Sequence, residues 1–234
     1  MKLGLYLKCL LICLVIVCAC EKTDNGQIPA VQSGKSILRV ISADIEYVYD
    51  YDNDGRLISI TENYRLSGMS SKHEFDSSEE GILVVTGKNY TRIYTFGDCG
   101  EMLKAELKWS DMDYLTLHFI HSHSLPIKCL ECEDLRDEYT WEDGNLISRT
   151  VFNSIRYNFS YTPILNNWHV PLPIFHDFSG VCEYDIYPLM LSRNLPSEIN
   201  DRSYTYERNS DGDICKVICV CGNNILKEYT IEYR

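Results

Sequence analysis

The chain has 234 residues, of which 45% are hydrophobic and 12% aromatic, and it carries a formal net charge of −12. It is long enough to bury a sizeable core as one domain, particularly in an all-β fold. Because a negative charge of this size repels phosphate backbones, the composition argues against nucleic acid as a partner.

The amino-terminal segment is the first predicted element. Its start is positive, residues 10–17 are apolar, and Ala19 stands directly before Cys20. This arrangement is typical of a bacterial signal peptide with a lipoprotein cleavage site, and the apolar run is shorter than the ~20 residues of a membrane-spanning helix. We therefore predict that residues 1–19 are removed and that Cys20 carries the acyl chains, palmitate among them, that hold the protein on a membrane.

The segment after the signal is polar. Residues 20–36 are rich in turn-forming residues, which predicts a flexible tether between the anchor and the folded domain. Residues 21–24 do not resemble the dense acidic tract of surface-export signals. We expect a lipid-anchored protein of the cell envelope at the outer membrane, either on the periplasmic side or on the cell surface.

From Ile37 onward the dominant pattern is an alternation of apolar and polar residues, which is typical of half-buried strands. Four short turns with Asp-Gly or related chemistry interrupt it, at residues 52–55, 97–100, 142–145 and 209–212. Each turn separates two alternating runs and so predicts a β-hairpin. The strands predicted around these turns are 45–49 with 57–61, 92–96 with 102–105, 139–141 with 146–148, and 204–207 with 214–217; further strands are predicted at 82–85, 114–118, 156–161 and 227–233.

Helix is scarce in this pattern. Only Glu131–Glu138 and Leu189–Asn194 are predicted to form short helical turns, and residues 162–173, with three prolines, are expected to be the one long irregular segment. A meander of hairpins must curl or close to protect its edges. The predicted fold is therefore all-β: an antiparallel β-meander of repeated hairpins over residues 37–234, curled into a half-barrel or open barrel.

The hairpins also carry a family resemblance. An aromatic-x-aromatic strand, an Asp-Gly-type turn and a Leu-x-x-Ile return strand recur from Tyr47 to Tyr233, and Leu191–Ser197 is similar to a Ser-x-Asn-Leu-Pro feature. The chain resembles a family of exported lipoproteins from Bacteroides-type bacteria, a domain of unknown function described as having a porin-like fold. The resemblance covers nearly all of the mature chain, implies a half-barrel sheet and transfers no activity. A true porin is not predicted, since a lipid-facing barrel needs aliphatic residues all around its outside.

Aromatic residues are abundant, with 17 tyrosines and three tryptophans. Tyr47, Tyr49 and Tyr51 fall on one face of a strand, which favours core packing of a curved sheet. The alternative interpretation is an exposed aromatic platform that includes Trp168 and His169, which would bind a glycan or an apolar ligand.

One short span contains the donor atoms of a metal site. His121, His123, Cys129 and Cys132 supply the nitrogen and sulfur ligands that zinc prefers. In an extended strand His121 and His123 share a face while His118 points away. The simpler interpretation is a strand end followed by a turn, with the two cysteines forming a disulfide or remaining as buried thiols.

A second group has the spacing of a calcium loop. Asp50, Asp52 and Asp54 alternate ahead of Gly55, but position twelve of the pattern is Thr61 instead of a closing Glu. A plain hairpin turn is the better interpretation. The sequence therefore predicts neither a metal ion nor a cofactor.

Seven cysteines follow Cys20, an odd number that cannot all pair within one chain. Cys215, Cys219 and Cys221 share one face of a predicted strand, where neighbours two apart are poorly placed to bridge. We expect mostly free, buried thiols; the number of cysteines leaves one or two disulfides possible.

No nucleophile elbow, phosphate-binding loop or distinct carboxylate pair points to catalysis. The leading hypothesis is a lipid-anchored, non-enzymatic envelope protein whose curved sheet and 162–173 loop bind a glycan, a protein or another ligand, or serve as a structural component. The alternatives are a metal-dependent enzyme at the His/Cys group and a carrier of apolar cargo.

Overall fold

The computed structural model describes residues 35–79, 81–98, 100–109, 112–168, 174 and 183–234. The predicted signal, most of the tether with Cys20, and His169 lie outside these residues. Cys99 and Cys182 lie outside them as well, so the predictions made on all of these positions remain predictions.

The described residues form sixteen antiparallel strands and one helix. The first eight strands are β1 (Ile37–Ile41), β2 (Ile45–Tyr51), β3 (Leu57–Tyr64), β4 (Met69–Asp76), β5 (Ile82–Gly87), β6 (Tyr90–Phe96), β7 (Met102–Trp109) and β8 (Met112–Ser122). The second eight are β9 (Leu125–Glu131), β10 (Asp134–Glu142), β11 (Asn145–Val151), β12 (Ile155–Leu165), β13 (Asn194–Ile199), β14 (Arg202–Arg208), β15 (Ile214–Cys221) and β16 (Asn224–Tyr233). The helix, α1 (Glu183–Met190), lies between β12 and β13.

The sheet is a closed barrel, so the prediction of a half-barrel or open barrel is wrong. Each strand pairs with its neighbour in the chain, and β16 returns to pair with β1, where Val40 lies opposite Ile231 and Ile41 opposite Thr230. Closure satisfies the backbone groups of both terminal strands and removes the exposed edges of an open sheet. The all-β, antiparallel meander itself is confirmed.

Because the strands alternate in direction, their connections fall at two ends of the barrel. We call the end with the β12–β13 connection the plug end; the chain enters β1 and leaves β16 there. The opposite end, with connections such as β3–β4 and β11–β12, is the rim end. The described residues of the β12–β13 connection, 166–168, 174 and 183–193, include α1 and place Trp168, Ile174 and Leu189 in the core. It therefore acts as a plug.

The buried side chains lie on the inner face of the wall in two clusters. One cluster joins β1–β3 and β13–β16 to the plug, and the other joins β5–β11 to Tyr187 of α1. Phe75 of β4 and Phe159 of β12 pack against both clusters, although their strands stand eight places apart in the ring. Opposite walls therefore share one apolar interior, which we describe as two lobes joined at β4 and β12.

The outer face carries charged side chains in pairs. Lys104 Nζ lies 3.0 Å from Glu106 Oε1, and Lys216 Nζ lies 3.0 Å from Glu228 Oε1. Half-exposed pairs of this kind contribute little to stability, about 0–1 kcal/mol each. Among the residues that the structure describes, no helix has the length and apolar character needed to cross a membrane.

The four predicted hairpins are confirmed as β2–β3, β6–β7, β10–β11 and β14–β15. The predicted helical turn at Glu131–Glu138 is wrong, because Cys132 and Glu133 adopt positive φ of 51° and 72° and form the tight turn between β9 and β10. The helix predicted at Leu189–Asn194 ends instead at Met190, and β12 continues into the segment predicted as irregular, as far as Leu165.

Candidate functional site

The predicted zinc donors are divided between the two ends of the barrel. His123 lies in the β8–β9 turn at the plug end, whereas Cys132 lies in the β9–β10 turn at the rim end. The whole of β9 separates them, about 25 Å at ~3.3 Å per residue. Cys129 faces the interior opposite Phe119, and burial lowers the pKa of His121 on the same wall. The four residues therefore do not converge, and the described part of the chain contains no group of three or more His, Cys, Asp or Glu residues able to hold a metal.

The three aspartates of the calcium-like spacing bond within their own hairpin. Asp52 Oδ1 accepts the backbone N–H groups of Asp54 and Arg56, each at 2.9 Å, and Asp52 Oδ2 accepts Arg56 Nε at 2.6 Å. These bonds, the backbone N–H of Arg56 first, lower the pKa of Asp52. Asp50 Oδ2 accepts the hydroxyl of Ser59 at 2.8 Å instead. The carboxylates thus stabilise the hairpin through hydrogen bonds, as the hairpin interpretation expects.

The cysteines divide by position. Cys132, Cys215 and Cys221 are free thiols, whereas Cys129 and Cys219 are buried in the two clusters. Cys221 Sγ donates to Asp201 Oδ2 at 3.3 Å, and this bond raises the pKa of the thiol. This acidic neighbour is the opposite of the electropositive setting that activates a thiolate.

Of the two residues of the predicted aromatic platform, the structure describes Trp168. This residue is buried in the plug, with an exposed fraction of 9%. Its Nε1 donates to the hydroxyl of Tyr233 at 3.4 Å, and its ring lies 6.1 Å from that of Tyr206. The face of this tryptophan is thus occupied by the core and is not offered to a ligand.

The polar groups that could serve a ligand lie instead on the inner wall, in the rim half of the barrel. We call them the inner polar layer. Its members are Glu62, His73, Tyr90, Arg92, Arg136, Asp137, Tyr139 and Arg149.

One part of the layer is a chain of contacts across β3, β4 and β6. His73 lies between the Glu62 carboxylate, with Nε2 to Oε1 at 3.3 Å, and the hydroxyl of Tyr90, which is hydrogen-bonded to Nδ1. The guanidinium of Arg92 lies over the Tyr90 ring, 4.2 Å from its centroid, a favourable cation–π geometry. Tyr64 donates to Glu62 at 2.7 Å, and this bond raises the pKa of Tyr64 to about 12.

Gly87 of the intervening strand β5 makes that chain possible. A Cβ at Gly87 would overlap the Tyr90 ring, which crosses this position to reach His73 on β4. Glycine within a strand commonly marks such a close approach. The contact therefore depends on a residue that contributes no side chain to it.

The other part of the layer centres on Asp137 of β10, which is 1% exposed. Its Oδ2 accepts Arg149 Nη2 at 3.0 Å and the hydroxyl of Tyr139 at 3.1 Å. Its Oδ1 is buried and accepts no hydrogen bond from the described residues. Arg136, the extra residue of a β-bulge, lies beside Glu131 at 3.8 Å and below the ring of Phe152.

The layer concentrates positive charge inside an acidic protein. Among the described residues, the buried charged side chains are three arginines, Arg92, Arg136 and Arg149, and one acid, Asp137. Buried arginines are costly unless they are paired, and the guanidinium group matches the two oxygens of a carboxylate. The layer therefore has the chemistry to bind an anion.

Sequence reasoning missed this layer, although one signal was present. Arg92 alternates with Tyr90 and Tyr94, so it shares the face that the tyrosines place in the core. A charged residue on the buried face of a strand was therefore visible, whereas its partners on other strands were not.

Together these features define a class of protein: a closed antiparallel β-barrel, plugged at one end by its own chain and lined with arginine and tyrosine toward the other. The fold is similar to a crystal structure of a porin-like protein from Bacteroides uniformis, with a TM-score of 0.59 and 16% sequence identity over 85% of this chain and 94% of that one. No protein-family model and no curated protein matches the chain. The likeness establishes the porin-like fold that the sequence resemblance implied; membership of that lipoprotein family remains a prediction.

Proposed function

We propose that the protein is a lipid-anchored, non-catalytic binding module of the cell envelope, and that it takes up a small acidic ligand at the inner polar layer. The observation that carries this proposal is that the buried charged side chains are mostly positive. Two more buried arginines than acids line the inner wall of a chain whose net charge is −12. The net negative charge of the protein repels an anion, whereas the arginines of the inner wall would stabilise it.

The donors and acceptors of the layer favour a hydroxylated carboxylic acid. An arginine such as Arg92 can hold a carboxylate through two parallel hydrogen bonds, and the buried Oδ1 of Asp137 has acceptor capacity for a hydroxyl. Each of two arginines has an aromatic face beside it: Arg92 lies 4.2 Å from the centroid of the Tyr90 ring, and Arg149 lies 6.0 Å from that of Tyr157. Acidic sugars combine a carboxylate, hydroxyls and a ring, so they form the ligand class we favour.

The test is a thermal-unfolding titration with D-glucuronate, with D-glucose as the uncharged control. We expect glucuronate to raise the melting temperature, because a ligand that binds only the native state stabilises it by about 1.4 kcal/mol at ten times its Kd. Glucose should leave the melting temperature unchanged.

Two arginine variants make this test specific. R92M should abolish the response to glucuronate, whereas R39M should keep it, since Arg39 lies on the outer wall beside Glu46. Equal responses to glucose and glucuronate, or an unchanged response in R92M, would rule out the acidic-ligand site. Saturation-transfer NMR on the same variants separates loss of binding from loss of fold.

The envelope location rests on the predicted acylation of Cys20. The paired charges of the outer wall support a barrel that is held beside the membrane by an anchor, because the hydrocarbon region excludes exposed charges. We expect labelled palmitate to enter the wild-type chain and not C20S, as seen on a denaturing gel. Labelling of both, or of neither, would contradict the anchor, and protease treatment of intact cells would then distinguish periplasmic from surface placement of the labelled protein.

A further inference from the structure

Exposed apolar side chains collect at the rim end. Of the ten large hydrophobic residues that are exposed in the described part of the chain, three lie on the outer wall and seven lie at the rim end. Those seven, which we call the apolar rim, are Leu66, Met69, Trp109, Phe152, Ile155, Ile225 and Leu226. Their collection at one end differs from the single scattering of apolar residues that is usual on protein surfaces, and it points to an interaction surface at the rim end.

The apolar rim has a regular arrangement. Its residues belong to four hairpins, β3–β4, β7–β8, β11–β12 and β15–β16, which stand four strands apart around the ring. The hairpins between them end in polar turns such as Lys88–Asn89 and Asn200–Asp201. Along the ring of strands, apolar tips therefore alternate with polar tips at one end of the barrel.

We propose that the apolar rim docks the barrel on the surface of a lipid bilayer. Apolar tips that alternate with polar turns fit a flat, deformable surface: each tip can enter the interface between headgroups while the polar turns stay at headgroup level. The core of a protein interface would instead be contiguous. This proposal stands independently of the acidic ligand.

Charge favours the same orientation. The connections at the plug end other than 166–193 contain nine Asp or Glu residues and one Arg, whereas those at the rim end contain four acids and two bases. An anionic membrane surface therefore repels the plug end more strongly. The rim end is the face that can approach.

The attachment point of the chain is compatible with this orientation. Lys35, the first described residue, is tied at the plug end to Asp211 and Asp213, at 2.9 and 2.8 Å. Residues 20–34 can span up to about 50 Å when extended, which exceeds the ~25 Å length of a typical strand of this barrel. An anchor at Cys20 can thus lie in the same bilayer that the rim contacts.

The experiment is flotation of the mature chain, residues 20–234 carrying C20S so that no acyl chain contributes, with vesicles of phosphatidylcholine and phosphatidylethanolamine. We expect the protein to float with the vesicles. A rim variant, L66S/F152S/I225S, should partition about ten-fold or more weakly. The matched control, I58S/L103S/I120S, removes the three exposed residues of the outer wall and should float like the parent.

Brominated acyl chains give an independent readout. They should quench the fluorescence of Trp109, which is 37% exposed, and W109F should lose that quenching. Failure of the parent to float, or equal loss in the rim and wall variants, would overturn the proposal. A dimer detected by light scattering that dissociates in the rim variant, without flotation of the parent, would also overturn it and assign the rim to a second copy. Neither result bears on glucuronate binding.

Discussion

Replacement of Asp137 by Asn is expected to lower the free energy of unfolding by about 3–5 kcal/mol, because it removes one partner of a buried ion pair and leaves the other charged. Asp137 is 1% exposed and accepts both Arg149 and Tyr139. It is also the only buried acid among the described residues, where three arginines are buried. Urea unfolding followed by circular dichroism measures the change.

Glu138 provides the control for this experiment one position further along β10. Its pair with Lys128, at 3.5 Å, is about half exposed on the outer wall, so E138Q should cost no more than ~1 kcal/mol. The double variant D137N/R149M should be more stable than D137N alone, because apolar replacement of a whole buried pair is often close to neutral. If D137N and E138Q unfold at the same urea concentration, the inner pair does not carry the stability assigned to it.

The hairpins could be predicted because their signals are local. At Asp52 the turn chemistry and the alternation on both sides lie within about fifteen residues, and the side chain bonds to its own turn. Strands joined by tight turns without Asp-Gly were harder to find. Cys132–Glu133 and His123–Ser124 adopt positive φ with residues that sequence patterns rarely associate with such turns, so β9 was not recognised.

Closure of the barrel could not be predicted from the same signals. It depends on the pairing of β1 with β16, two strands at opposite ends of the chain whose local patterns differ little from those of the other strands. Alternation specifies which face of a strand is buried, but not how many strands complete the ring. An open and a closed meander therefore have the same sequence pattern.

The inner polar layer was hidden for a related reason. The contact of Glu62 with His73 joins neighbouring strands, but that of His73 with Tyr90 crosses β5 and depends on the missing side chain of Gly87. Likewise, Asp137 and Arg149 meet because β10 and β11 pair in one register. The residue types were visible in the sequence, whereas their convergence is a property of the tertiary fold.

Replacement of Trp168 is expected to have the second large effect on the free energy of unfolding. W168A is expected to cost about 3–5 kcal/mol, the range for removing a buried Trp or Phe side chain, because the ring is 9% exposed and packs beside Tyr206 while Nε1 bonds to Tyr233. W109A, at the exposed rim, removes the same side chain and should cost about 1 kcal/mol or less. Both values follow from urea unfolding recorded by circular dichroism.

The variant W168F distinguishes a role of Trp168 in core packing from a role in ligand binding. It keeps a smaller aromatic ring in the plug but loses the N–H donor and part of the indole, so it should cost about 1–2 kcal/mol, less than W168A, and leave glucuronate binding intact, since the proposed ligand site lies in the rim half of the barrel. An aromatic platform at Trp168 would instead lose its ligand in W168A and bind it more weakly in W168F. Equal stability of W168A and W109A would mean that Trp168 does not hold the plug in the barrel.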